Sequence, residues 1–203
     1  MVSIDSSTPA FAGGSNDPWT SASFTPPNDS LLLVVVVGDW FSSTPTLTPT
    51  STGLTFTSVF RTGSINNGVI EFFTAPVGSN GGSSRTVSVT TSLSSDVGGM
   101  KVFVLTDYYA DDPIEVTGSG GPTATNSITP TVVTTVTDGC WVFGGAVNWV
   151  GGSISTTSTD SFEEFNDNDL SVAVVWKSAA TATAGPVTLN WDAEGTSNSQ
   201  VWN

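Results

Sequence analysis

The chain contains no histidine, one cysteine and only four basic residues among its 203. Each shortage removes a class of chemistry. Without histidine there is no Ser-His-Asp or Cys-His nucleophile, no imidazole base and no histidine-ligated zinc. Cys140 has no second cysteine to pair with, and its place beside Trp141, Val142 and Phe143 predicts a buried, inert thiol. Arg61, Arg85, Lys101 and Lys177 face 18 acidic residues, for a formal charge of −14. Such a surface is soluble and repels phosphate backbones and anionic lipid, which argues against nucleic-acid and membrane partners. The longest apolar run, Leu31–Val37, is seven residues, too short to span a bilayer. Met-Val-Ser-Ile-Asp at the start lacks the basic patch and apolar core of a secretory signal, so synthesis in a cytoplasm is expected. Gly118-Ser-Gly-Gly lacks the lysine and helix of a phosphate-binding loop.

What is present is β-forming. Serine and threonine make up about three residues in ten, with 21 glycines and 11 prolines. Threonine and valine suit a pleated surface, whereas glycine, proline, asparagine and aspartate punctuate turns. No segment shows a helical stripe of apolar residues. Leu31–Val37 is apolar at every position, which predicts a strand covered on both faces. Val87, Val89 and Thr91 alternate with Ser88 and Thr90, the pattern of a half-buried strand. Asn66-Asn67-Gly68 predicts a hairpin turn.

One strand plan occurs twice. The first copy opens at Asp29-Ser30 with Leu31–Val37, then gives Val69–Ala75, Arg85–Thr91 and Met100–Thr106. The second opens at Thr137-Asp138-Gly139 with Cys140–Phe143 and Ala146–Trp149, then gives Leu170–Ala179, Pro186–Trp191 and Ser199–Trp202. Two half-barrels or half-sandwiches of this kind are expected to close into one all-β, two-sheet β-sandwich. Residues 19–203 are read as a single β-sandwich domain, with Asp107–Thr125 as a crossover loop. Residues 1–18 are read as an N-terminal arm or edge strand and as the expected mobile contact.

Paired carboxylates are the one catalytic possibility left, as in glycoside hydrolases. Glu71 lies between apolar neighbours, with Glu115, Glu163 and Glu164 as candidate partners, yet an outward-facing polar residue in an alternating strand explains Glu71 as well. Asp160, Glu163, Glu164, Asp167 and Asp169 cluster around Phe162 and Phe165, and Asp107, Asp111 and Asp112 form a second group. Calcium takes several carboxylate oxygens, so Asp167, Asp169, Glu163 and Glu164 are the candidate ligands. Asn166–Asp169 lacks the full calcium-loop pattern and its distal glutamate, and solvated acidic loops are the simpler reading. No other cofactor is implied. The seven tryptophans fall mostly among apolar neighbours, which favours core packing over a sugar platform.

The order Phe24-Thr-Pro-Pro-Asn-Asp-Ser-Leu31–Val37, Gly53–Val59, Glu71–Ala75, Arg85–Thr90 and Lys101–Leu105 resembles the jelly-roll-like β-sandwich modules of tailed-phage virion proteins and bacterial surface proteins. The resemblance covers most of residues 20–150 as pattern and includes no catalytic residue. It implies a structural or adhesive role. The expectation is a non-enzymatic virion protein, a bacteriophage capsid decoration protein ahead of a tail or fibre component. Its partners would be capsid or tail proteins, with a homo-oligomer as a further option. A carbohydrate-binding module or surface adhesin is the alternative, and a glycoside hydrolase comes third.

Overall fold

The computed structural model describes residues 1–40, 43–63, 68–93, 97–111, 113–115, 117, 131–148, 153–156, 159–167, 170–190, 192–193 and 199–202. Its strands are β1 (Ser3–Ile4), β2 (Ala12–Gly14), β3 (Trp19–Thr20), β4 (Leu31–Gly38), β5 (Leu47–Thr50), β6 (Thr57–Gly63), β7 (Val69–Pro76), β8 (Ser88–Thr91) and β9 (Gly98–Thr106). The chain continues with β10 (Thr131–Thr135), β11 (Phe143–Asn148), β12 (Ile154–Ser155), β13 (Ser161–Asn166), β14 (Ser171–Trp176), β15 (Gly185–Leu189), β16 (Asp192–Ala193) and β17 (Ser199–Trp202). Among the described residues the one helical feature is a single 3-10 turn at Gly78–Asn80. The fold is an all-β sandwich, with every pairing antiparallel.

The doubled plan appears as doubled topology. The first inner sheet runs β9-β4-β7-β6, and the second runs β17-β11-β14-β13. Strand for strand these are the same order. The strand that follows the hairpin leaves the inner sheet in both copies. β8 joins β3 and β5, while β15 joins β10, and β16 pairs with β12. Each copy therefore builds an inner sheet and an outer layer, and the stacking goes beyond two sheets.

Side-chain alternation decides what each face buries. Leu32, Val34, Val36, Phe73, Met100 and Val102 point to one side of the first inner sheet, where they meet Trp19, Leu47, Val87 and Val89 of the outer layer. Leu33, Val35, Val37, Ile70, Phe72 and Phe103 point to the other side, where they meet Val147, Val172 and Val174 of the second inner sheet. The two inner sheets thus lie back to back along a seam. Beyond it, Ala146, Ala173 and Val175 pack under Val133, Ile154 and Leu189. This explains why β4 is apolar at every side-chain position: all of Leu31–Val37 are at most 3% exposed. Burying each such side chain favours folding by about 1.5–3 kcal/mol before entropy is counted. The seam is close enough that a Cβ on Gly145 would fall 2.7 Å from Val37 Cγ1 and 2.9 Å from Ile70 Cγ2. Across the seam, Phe103 meets the rings of Phe143 at 4.6 Å and Trp176 at 5.1 Å.

Residues 1–18, read as an arm or an edge strand, lie along the first inner sheet. β1 and β2 both pair with β9, satisfying an edge that would otherwise leave N–H and C=O groups unpaired. They also reach the second copy. Val2 O accepts from Trp141 Nε1 at 2.9 Å, Phe11 N donates to Glu163, and Ser15 Oγ donates to Asp167 at 3.4 Å. Gly118–Pro122, Asn66-Asn67 and most of the crossover loop lie outside the described residues.

Candidate functional site

Strand alternation separates the acidic residues that the sequence groups together. Glu163 and Glu164 are neighbours on β13, so they point to opposite faces. Glu163 faces the seam and pairs with Lys101. Glu164 faces away and accepts from Ile154 N at 2.8 Å. Asp167 meets Ser15, and Asp169 lies outside the described residues. Asp160 is buried against Lys177 at 2.7 Å and accepts from Asn190 N at 3.2 Å. The structure does not bring Glu163 and Glu164 to one point. Among the described residues no group of three or more potential ligands converges on a metal position.

Glu71 is not the outward-facing residue that alternation allowed. It is 6% exposed and faces the first core. Arg61 pairs with its carboxylate, and Ser58 Oγ donates to it at 2.6 Å. Arg61 also donates to Pro45 O at 2.5 Å, so the pair ties β6 to the proline-rich segment before β5. Lys101 is the matching seam residue. At 3% side-chain exposure it donates to Glu163 and to Pro9 O at 2.7 Å, and lies 5.3 Å from the Trp176 ring centre. A carboxylate and a carbonyl both receive the ammonium of this deeply buried lysine, which is the pairing that a charge removed from water requires.

The seam widens at one end into a hollow of about 730 Å³. Leu31, Leu33, Phe72 and Leu105 form its wall from the first copy, and Val133, Trp141 and Phe143 from the second. Its size is that of small-ligand sites in general. Its mouth is unusual for this chain. Met1, Tyr109 and Val136 line it, and they are 87%, 78% and 71% exposed. Asp107, Asp111, Glu115 and Asp138 stand among them.

At that mouth Glu115 and Cys140 form a linked pair. Cys140 Sγ donates to Glu115 Oε2 at 2.6 Å, Thr137 donates through Oγ1 at 2.5 Å and through N at 2.9 Å, and Val136 N donates as well. Burial pushes the Glu115 carboxyl up, but the bonds from Cys140, Thr137 and Val136 outweigh it and bring the pKa down to about 2. Burial first, and then Glu115, raises the Cys140 thiol. The thiol therefore holds its proton at neutral pH and is a poor nucleophile. It follows the turn at Asp138-Gly139 and precedes β11, rather than opening a strand as its apolar neighbours suggested, and it is half-buried where a buried thiol was expected.

The tryptophans divide. Trp19 and Trp40 pack edge to face at 6.1 Å in the first core. Trp141 and Trp176 are half-buried at the seam, and Trp149 and Trp191 lie outside the described residues. Sequence reasoning missed the hollow because its walls come from segments far apart in the chain. The local signal was Tyr108-Tyr109 beside Asp107 and Asp111. None of the protein-family models, curated proteins or solved structures compared with this chain matches it.

Proposed function

We propose that this chain is a non-enzymatic structural protein of a virus-like particle, with capsid decoration ahead of a tail or fibre role. The observation that carries the reading is the seam hollow, whose mouth exposes Met1, Tyr109 and Val136 over a rim of four carboxylates. Large exposed apolar side chains gathered at one place mark an interaction surface. The acidic rim selects a partner segment that is apolar at its centre and flanked by lysine or arginine, as charge complementarity between coat proteins would supply. Trp19 and Trp40 stabilise the core, as a load-carrying module requires. Glu71, the leading catalytic candidate, is occupied by Arg61 and Ser58.

The test is co-sedimentation of the purified chain with particles from its source, followed by electron cryomicroscopy. The expected result is many copies per particle. Tyr109→Ser together with Val136→Ser should weaken attachment at least tenfold and leave the melting temperature unchanged. A chain that joins no particle yet binds neutral glycans on an array would replace this reading with the adhesin one.

A further inference from the structure

Three of the four basic residues have a carboxylate partner: Arg61 with Glu71, Lys101 with Glu163 and Lys177 with Asp160. Arg85 makes no ion pair with any described residue. It is nevertheless 9% exposed. Its Nη1 reaches Thr52 O at a long 3.4 Å, its Nη2 reaches Asn80 O, and its Nε has no hydrogen-bond partner. A guanidinium removed from water without a counter-charge is destabilising, and two neutral carbonyls offset only part of that. In a chain with 18 acidic residues, a carboxylate could easily have stood here.

Arg85 borders a second hollow, of about 620 Å³, on the outer layer of the first copy. Among the described residues it is the one charged group in a lining of serine and threonine hydroxyls, which includes Ser51, Thr52, Ser84 and Thr86. Ser51 Oγ is also buried without a partner. Thus two unsatisfied polar groups, one cationic and one hydroxyl, border the same polar hollow. Buried polar groups left unpaired by the protein are characteristic of sites that pair them with a ligand.

We propose that this hollow binds an acidic saccharide residue of the hexuronate class. The carboxylate is held by Arg85, whose planar fork matches it in bidentate fashion. The ring hydroxyls exchange hydrogen bonds with Ser51, Ser84 and Thr86, each able to donate and accept. A bare carboxylate would leave those hydroxyls unused. A neutral sugar would leave Arg85 uncompensated. The hollow belongs to the β3-β8-β5 layer and not to the seam, so this site and the proposed docking mouth stand or fall separately.

The experiment titrates the isotope-labelled chain with sodium glucuronate, glucose and sodium acetate, at an ionic strength near 0.15 M. There the overall negative field is screened beyond about 8 Å. Glucuronate is expected to shift the amide signals of Ser51, Thr52 and Ser84–Thr86 with a millimolar Kd, while glucose and acetate bind at least tenfold more weakly. Arg85→Gln should abolish the glucuronate response and keep the melting temperature. Equal binding of glucose, equal binding of acetate, or no glucuronate response at tens of millimolar would each overturn the proposal. If Arg85→Gln fails to fold, Thr86→Val decides. This residue is exposed, and its loss should weaken glucuronate several-fold without changing acetate, whereas an unchanged glucuronate affinity would overturn the assignment. Arg85 acting solely as a clamp between Thr52 and Asn80 would appear as a destabilised Arg85→Gln variant with no glucuronate binding by the intact chain.

Discussion

The two copies share a topology but not a core. The first packs Trp19, Phe24, Trp40, Leu47 and Phe73 between its inner sheet and a three-stranded outer layer. The second has Ala146, Ala173, Val175 and a few larger residues beneath the paired strands β10-β15 and β12-β16. Its larger burial is at the seam, where Leu170, Val172 and Val174 meet Val35, Ile70 and Phe103. The lesson is that a repeated strand order need not be repeated stability. The first copy has a substantial core of its own, whereas the second draws much of its burial from its neighbour. The arm strengthens the asymmetry, because it pairs with β9 in the first copy and bonds to Trp141 and Glu163 in the second.

The sharpest way to break this comparison is Phe103→Ala at the seam. A fully buried phenylalanine replaced by alanine costs about 3–5 kcal/mol. If the seam joins both copies into one cooperative unit, a single calorimetric transition moves down by roughly 6–20 °C. Two transitions, of which one stays fixed, would show that the copies melt independently. Phe11→Ala comes next. Its ring lies where a Cβ on Gly99 would be, 2.4 Å from Phe11 Cζ. As Phe11 is half-buried, a loss of about 2 kcal/mol is expected, and chemical denaturation would measure it. A free, unpacked arm would give no loss.

Gly145→Ala probes the closeness of the two inner sheets. The added methyl meets Val37 and Ile70 below 3 Å, and overpacking of this kind costs about 1–3 kcal/mol. Gly14→Ala is the control, since the nearest atom to its Cβ is 3.8 Å away. Equal effects at the two sites would mean that the seam yields freely.

The smallest effect concerns acid. The Glu115 carboxyl titrates near 2 in the folded chain against an ordinary 4.5. A depressed carboxylate contributes stability above its unfolded pKa, and that contribution is lost as pH falls from about 4.5 toward about 2. Glu115 stands at a solvent-facing rim, so screening holds the contribution to at most about 1 kcal/mol. Stability curves of the wild type and Glu115→Gln should converge at the acid end of that window. The same variant should speed alkylation of Cys140 at pH 8, because one cause of its raised pKa is gone.

Much of this architecture was legible in the residues. The unbroken run Leu31–Val37 announced a strand covered on both sides, and the doubled segments announced two similar strand sets, whose matching sheet orders β9-β4-β7-β6 and β17-β11-β14-β13 only the structure supplies. What covers the second face of β4 was not legible, because an apolar face does not name its partner. The acidic group at residues 160–169 misled for a related reason. Sequence proximity suggested convergence, but a strand sends Glu163 and Glu164 to opposite sides. Glu71 was placed outward by alternation, yet Arg61 on β6 made burial tolerable ten residues away. Arg85 passed unnoticed because its distinction is the carboxylate that it lacks, which only three dimensions reveal.

The back-to-back seam also bears on how the chain assembles. One copy of the plan by itself would carry an apolar inner-sheet face bare to water, and the other copy is what covers it. Holding both copies on one chain makes that encounter intramolecular, with an effective concentration on the order of millimolar. Assembly then no longer depends on how much protein a cell makes. Once tethered, the halves need not remain identical. One is free to keep the deep core, and the other to give up bulk for Gly145, whose missing side chain lets the sheets close.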